Sequence, residues 1–214
     1  QDLRGYEIGY ALGYKSIGFF ESQEDIDGSP AQKFGPVIPG DIKYQDTNGD
    51  NVIDPSDRVP IKCFSVPTLT GGLSIGFNIH GFDFSMLLSG AMGGTARLWS
   101  YPSSVINLRR WTKENKDAIL PVAHTTANNN VISDQNLMKT DYLKLRNIEL
   151  GYTFPTAWMK KIHVTAARIY VNAQNVAVWD RMWLKDRDPE SAGSGTLPYP
   201  LQRVFNMGLR FELQ

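Results

Sequence analysis

Cysteine is almost absent from this sequence: Cys63 is the single thiol in 214 residues. One thiol excludes a disulfide framework and a thiolate metal cluster, and with no visible partner Cys63 reads as a buried or incidental side chain. Histidine is nearly as scarce. His80, His124 and His163 lie far apart and leave little material for a His-rich catalytic metal. Neither sign of charge is in excess, since 22 Lys+Arg balance 22 Asp+Glu, so nothing points to nucleic acid or an anionic surface. No apolar run approaches the ~20 residues of a membrane helix. The length fits one domain or two small ones. Glycine (19), proline (12) and aromatics (11%) are what the chain does have, and they fit turns and strands better than a helix bundle. A membrane stays possible without an apolar helix, because a barrel strand needs only ~9–11 residues with apolar side chains at alternate positions.

Alternation of that kind is strongest over residues 69–92. Leu69, Leu73, Ile75, Phe77 and Ile79 share one face, opposite Thr68, Thr70, Ser74 and Asn78. After His80-Gly81, Phe82, Phe84, Met86, Leu88 and Met92 resume the apolar face against Asp83, Ser85 and Ser89; only Leu87 breaks the polar side. Two alternating runs around an X-Gly pair predict a β-hairpin. Four further runs alternate: Tyr6 to Tyr14, Tyr142 to Phe154, Ile169 to Gln174, and Asn206 to Leu213. The second of these changes phase near Arg146-Asn147, where one extra residue would make a bulge.

Six candidate strands result, and their links are lopsided. Two links are short (His80-Gly81, and Pro155 to Val164); the other three run to about fifty, about fifty and about thirty residues, against the ~4–6 usual in compact domains. Short and long links alternate, so in an up-and-down sheet every long loop falls at one end. Outer-membrane barrels have this asymmetry, with short periplasmic turns and long extracellular loops. Six strands cannot close such a barrel, which takes at least about eight. The expectation is therefore an all-β, antiparallel up-and-down transmembrane β-barrel segment completed by other polypeptide. A soluble calcium-stabilised β-sandwich that binds glycan or protein at a cell surface is the alternative.

The first long loop carries an acidic motif within 41–58. From Asp46, oxygen side chains fall at positions 1, 3, 5, 9 and 12 (Asp46, Asn48, Asp50, Asp54, Asp57), and Val52 at position 7 offers its carbonyl. This is EF-hand-type spacing, which curls a loop so that alternate oxygens meet one hard cation. Asn51 replaces the usual glycine at position 6, and Asp57 the longer Glu at position 12. The expected occupant is a structural Ca2+ that pins the loop.

Pro39-Gly40-Asp41-Ile42-Lys43-Tyr44, followed by Asp46, Asn48-Gly49-Asp50 and Ile53-Asp54, resembles the "GDIKYxDxNGDGxID" signature of SusC-like TonB-dependent transporters. Further matches follow in order: Pro67 to Gly72, Gly81-Phe82-Asp83, Trp111 to Asn115, Tyr142 to Tyr152, Tyr170 to Asn175, Asp188-Pro189-Glu190 and Tyr199-Pro200. The resemblance spans nearly residues 1–214 and implies the C-terminal part of an outer-membrane barrel of about 22 strands in Bacteroidota. It implies import of oligomeric nutrients such as glycans or peptides, a SusD-like surface lipoprotein as partner, and energy from TonB through a plug. No stretch here matches that plug or a TonB box, so the remaining barrel and plug are expected partners beside the lipid bilayer. The last strand ends Phe211-Glu212-Leu213-Gln214, without the terminal aromatic usual in such barrels.

No catalytic residues are expected. Asp186, Asp188 and Glu190 suggest a glycosidase pair, but a polar loop offers no apolar pocket to raise either pKa, so solvated carboxylates are expected. Trp158 reads as an interface anchor in a periplasmic turn. Trp99 and Trp111 in the second long loop are the better candidates for a ligand or partner surface. Ser103-Ser104 reads as the cap of a helix running toward Trp111.

Overall fold

The computed structural model describes residues 3–97, 109–160, 163–183, 185, 187–192 and 201–213. The chain divides into two compact units, Gln1–Ser65 with Thr95–Lys139, and Val66–Gly94 with Thr140–Gln214. In chain order the elements are β1 (Tyr10–Gly13), β2 (Ser16–Phe19), α1 (Gln23–Asp27), β3 (Ala31–Gln32), β4 (Ile42–Tyr44), β5 (Val52–Ile53), β6 (Val59–Lys62), β7 (Leu69–Ile79), β8 (Phe82–Met92), β9 (Thr95–Arg97), β10 (Leu137–Lys139), β11 (Tyr142–Thr153), α2 (Thr156–Met159), β12 (Val164–Asp180) and β13 (Val204–Leu213). None of the described helices is long and apolar enough to cross a membrane.

The second unit is one antiparallel sheet in the order β13-β12-β11-β8-β7. The hairpin between β7 and β8 turns on His80 and Gly81, both left-handed (φ 50° and 86°), as the tight turn that matches strand twist requires. A side chain at Gly81 would also press on the Thr153 carbonyl oxygen, 2.7 Å from an added Cβ. The β7–β8 and β11–β12 turns lie at one edge of the sheet. The long connections after β8 and β12 leave from the opposite edge, where Tyr142 is paired with both Ala91 and Asp180. The expected asymmetry of links is thus present.

Register rows separate the two faces. Phe77, Phe84, Leu150, Val171 and Met207 stand side by side across all five strands. The next row is Gly76, Ser85, Glu149, Asn172 and Asn206. Register slips between Leu145 and Asn147 against both neighbours. Against β8 that is the expected bulge: the extra residue, Arg146, lets Leu143 and Leu145 stay in phase with Ile148 and Leu150, whereas on the other side two β12 residues, Asn175 and Val176, lie opposite Arg146. The apolar rows are not packed inward. Leu73, Ile75, Phe77, Leu150, Leu209 and Met207 are all exposed, from 40% for Ile75 to 77% for Met207.

Five of the six alternating runs build this sheet. The sixth does not join it. Of Tyr6 to Tyr14 only Tyr10–Gly13 is strand, and it pairs with β6 in the first unit. Tyr14 is buried there with Ile42, Tyr44 and Ile53, against Phe19, Phe34 and Val131. Its aromatic alternation serves a small core built from the two long loops. The Asp41 to Tyr44 stretch is stitched to the second loop: the Ile42 amide donates to Asn129 Oδ1 (3.0 Å), Asn129 Nδ2 donates to Asp41 Oδ1 (2.6 Å), and Tyr44 Oη donates to the Asn128 carbonyl (2.7 Å). Gly40 leaves the room that Trp111 and Val122 fill.

Candidate functional site

The polar face of the sheet is an ordered set of charges. Arg168 on β12 donates through Nε to Asp83 Oδ1 at 2.9 Å, and through Nη2 to the other Asp83 oxygen and to Glu149 (2.7 Å). Asp83 belongs to β8 and Glu149 to β11, so this one guanidinium ties three strands. The arrangement needs Gly151 between them, because an added Cβ there would strike both Asp83 oxygens (2.6 Å) and the guanidinium. Asn206 Nδ2 extends the set to β13 through Asn172 Oδ1 (2.9 Å).

A second cluster sits nearer the long-loop edge. Lys144 points to the polar face, and its ammonium donates to both Asp188 oxygens (2.7 Å) and to Glu190 Oε2 (2.9 Å). Its side chain is 2% exposed and that of Asp188 is 8%. Tyr142 Oη donates to Glu190 Oε1 (2.5 Å), which Arg146 Nη2 also reaches, and Arg146 Nε donates to Ser89 Oγ (2.8 Å). The loop after β12 is therefore latched onto the sheet. Burial alone would raise the Glu190 carboxyl, but bonds from Tyr142 and Lys144 and the Arg146 charge pull it down to about 2. A general acid needs the opposite shift. Asp188 and Glu190 were expected to be solvated; they are ion-paired instead, because β11 carries two cations among its apolar residues. Asp186 lies outside the described residues.

The acidic loop closes on itself. Asp46 accepts from the amides of Gly49 (2.7 Å) and Asn51 (2.8 Å), and Asn51 takes the left-handed backbone (φ 64°) that the sharp turn demands. Burial would raise the Asp46 carboxyl, but these amides hold it below the usual range. Asn48 Nδ2 donates to Asp50 Oδ2 (3.0 Å). Asp50 Oδ1 accepts from the Val52 amide (2.9 Å), and Asp54 Oδ1 accepts from the Ser56 amide (2.8 Å). Asp57 is fully buried, accepting from Thr47 N (2.8 Å) and Asp54 N (3.0 Å). Val52 lies in β5, paired with Ala31. Among the described residues, no three His, Cys, Asp or Glu side chains are gathered as a metal site.

Relatives of this chain are known. TonB-dependent receptor P26 of Formosa agariphila is 25% identical over 96% of the chain, and TonB-dependent receptor P39 of the same organism is 27% identical over 97%. TonB-dependent receptor SusC of Bacteroides thetaiotaomicron is 23% identical over 98%. The fold matches solved structures of the RagAB peptide importer in the open-open state (TM-score 0.66, 17% identity, 97% of this chain and 24% of that one) and of the RagAB peptide transporter (TM-score 0.63, 18% identity, 94% and 22%). No protein-family model matches.

Over nearly its whole length the chain is similar to TonB-dependent receptors, SusC among them. It spans about a fifth to a quarter of the length of these relatives: 22% of P26, 20% of SusC and 25% of P39. Its five long strands form an open antiparallel sheet whose fold matches part of those barrel structures. One aromatic assignment changes. Trp111, nominated for a ligand surface, is 5% exposed and packed over Gly40, so it supports the loop core. Trp158 and Trp179 are exposed near opposite edges of the sheet, as girdle residues are. Trp99 and the helix expected after Ser103-Ser104 fall outside the described residues. The sequence reading missed the Lys144–Asp188–Glu190 cluster. Its visible signal was two cations, Lys144 and Arg146, two residues apart in a strand that otherwise carries a single charge, Glu149.

Proposed function

We propose that this chain forms part of the wall of an outer-membrane importer of oligomeric nutrients in a Bacteroidota-type cell. The observation that carries the reading is the division of faces. Apolar rows stand exposed on five strands of 10 to 17 residues, long enough to cross a bilayer at a tilt. The opposite face bears Arg168, Asp83, Glu149 and Asn172 in mutual contact. Lipid suits the first face, and a wet lumen suits the second, where charges keep water and partners. A soluble sandwich would bury those rows against a second sheet.

Strands outside β7 and β13 then complete the wall, since an unpaired edge is unstable in hydrocarbon. The unit built from the two long loops belongs at the cell surface, beside a SusD-like lipoprotein, and TonB acts through a plug. Glycans or peptides are the substrate classes, and no catalysis is assigned. The acidic loop is proposed to take up Ca2+ as a structural ion, supported by its spacing and by the left-handed Asn51. The experiment is purification from native membranes with an affinity tag on the protein. Extraction only by detergent, together with a surface lipoprotein, supports the proposal. A soluble monodisperse protein without detergent refutes it.

A further inference from the structure

One cleft in the loop-built unit is charged in a way that neither the barrel nor the loop core requires. It holds about 400 Å3, within the range of small-ligand sites. Its apolar surface comes from Leu12, Phe34, Val131 and Ile132, and its cations are Lys33, Arg58 and Arg97. Among the described residues, no carboxylate lines it.

The cations are held in different ways. Arg58 lies over the Tyr14 ring (5.6 Å) and, among the described residues, donates only Nε, to Tyr14 Oη at 3.2 Å. Arg97 Nη2 donates to the Asn130 carbonyl at 3.1 Å. The Lys33 ammonium makes no hydrogen bond or ion pair among the described residues. Asp54 is near enough to feel its charge, but its carboxylate accepts from Ser56 N (2.8 Å) and Oγ (2.6 Å). Lys33 and Arg58 bring positive charge to an apolar floor, which favours an anion there. Tyr14 beneath them is part of the buried core and edge-on to Phe34 at 4.8 Å, so the floor is preformed, and less ordering entropy is lost when a ligand docks.

The lining also selects the ligand's body. A sugar carries a hydroxyl on nearly every carbon, and each buried one needs a partner. Besides the cations, Asn130 supplies the only polar side chain among the described lining residues whose body is not aromatic. Aliphatic side chains fit Phe34, Val131 and Ile132, while a carboxylate fits the forked N–H groups of arginine. We propose that this cleft binds a peptide segment in which acidic and aliphatic side chains alternate. Binding is read directly, so the claim stands apart from the import reading.

The test is fluorescence anisotropy on the full-length protein in detergent with labelled Glu-Leu-Glu-Leu-Glu. Saturable binding is expected, weakened by salt. The K33Q variant should lower affinity about tenfold, and R58Q by a similar factor, as for loss of one charge-assisted hydrogen bond. Lys33 is exposed and its ammonium holds no hydrogen bond among the described residues, so K33Q remains informative if R58Q disturbs Tyr14. Gln-Leu-Gln-Leu-Gln should not bind. Equal binding of the Gln peptide, unchanged affinity in K33Q, or competition by trigalacturonate as strong as by the acidic peptide would each overturn the proposal.

Discussion

Replacing Lys144 by Met should unlatch the loop after β12. The ammonium is almost completely buried and meets three carboxylate oxygens at 2.7 to 2.9 Å. Met keeps the volume and removes the charge, leaving Asp188 buried without its counter-ion. Breaking a buried pair costs roughly 3–5 kcal/mol. The lower end applies here, because Glu190 is 37% exposed and keeps Tyr142 and Arg146. About 3 kcal/mol corresponds to roughly a hundredfold larger open fraction. Trypsin reads it after Lys185 and Arg187, at a rate that follows the open population when opening outpaces cleavage. Cleavage should accelerate roughly a hundredfold, while K144R stays close to wild type. Unchanged cleavage in K144M would refute the latch, as would acceleration matched everywhere else in the chain. The latch should also respond to acid. Glu190 is held at about 2 against an ordinary 4.5, so its contribution is complete above about 4.5 and fades as pH falls toward 2. Exchange of the Glu190 amide, which donates to Asp188 Oδ1 at 2.7 Å, should rise through that window.

Other outcomes follow from the same geometry. Ile75→Arg places a charge on the exposed apolar face near mid-strand and should cost about 2–4 kcal/mol in urea unfolding from lipid vesicles, whereas Ser74→Arg, one residue away on the polar face, should cost under about 1; equal costs would contradict the assignment of faces. Gly151→Val should displace the Asp83–Arg168 pair and lower stability by roughly 1–3 kcal/mol, as overpacking does, seen as a lower urea midpoint. Calorimetry with Ca2+ should give one site that Asp46→Ala and Asp50→Ala abolish, with faster proteolysis of residues 41–58; no heat at millimolar Ca2+ in the wild type would dismiss the ion and leave the fold untouched.

The sheet was legible because its information is local. Period-two alternation, the His80-Gly81 turn and the phase change at Arg146 each sit within a few residues, and together they set faces, hairpin and bulge. The Tyr6 to Tyr14 run shows where such a pattern stops being decisive. Alternating tyrosines suit a barrel strand and equally a short strand laid on a loop core, and the residues that decide, Ile42, Tyr44 and Ile53, lie about thirty or more positions away. The latch was hidden for the same reason, since 44 residues separate Lys144 from Asp188 and a charged loop looks solvated until its counter-ions are placed. Trp111 looked like a surface aromatic because nothing near it in sequence announces Gly40 as the space it fills.

The central claim is that alternate residues of these strands face hydrocarbon and water. Nitroxide labels placed one at a time along Leu69 to Ile79, in a Cys63→Ser background reconstituted into vesicles, measure this directly. Collisions with oxygen should peak at 73, 75, 77 and 79, and collisions with a water-soluble nickel chelate at 72, 74, 76 and 78. Profiles without a two-residue period, or with the two reagents in the same phase, would contradict it.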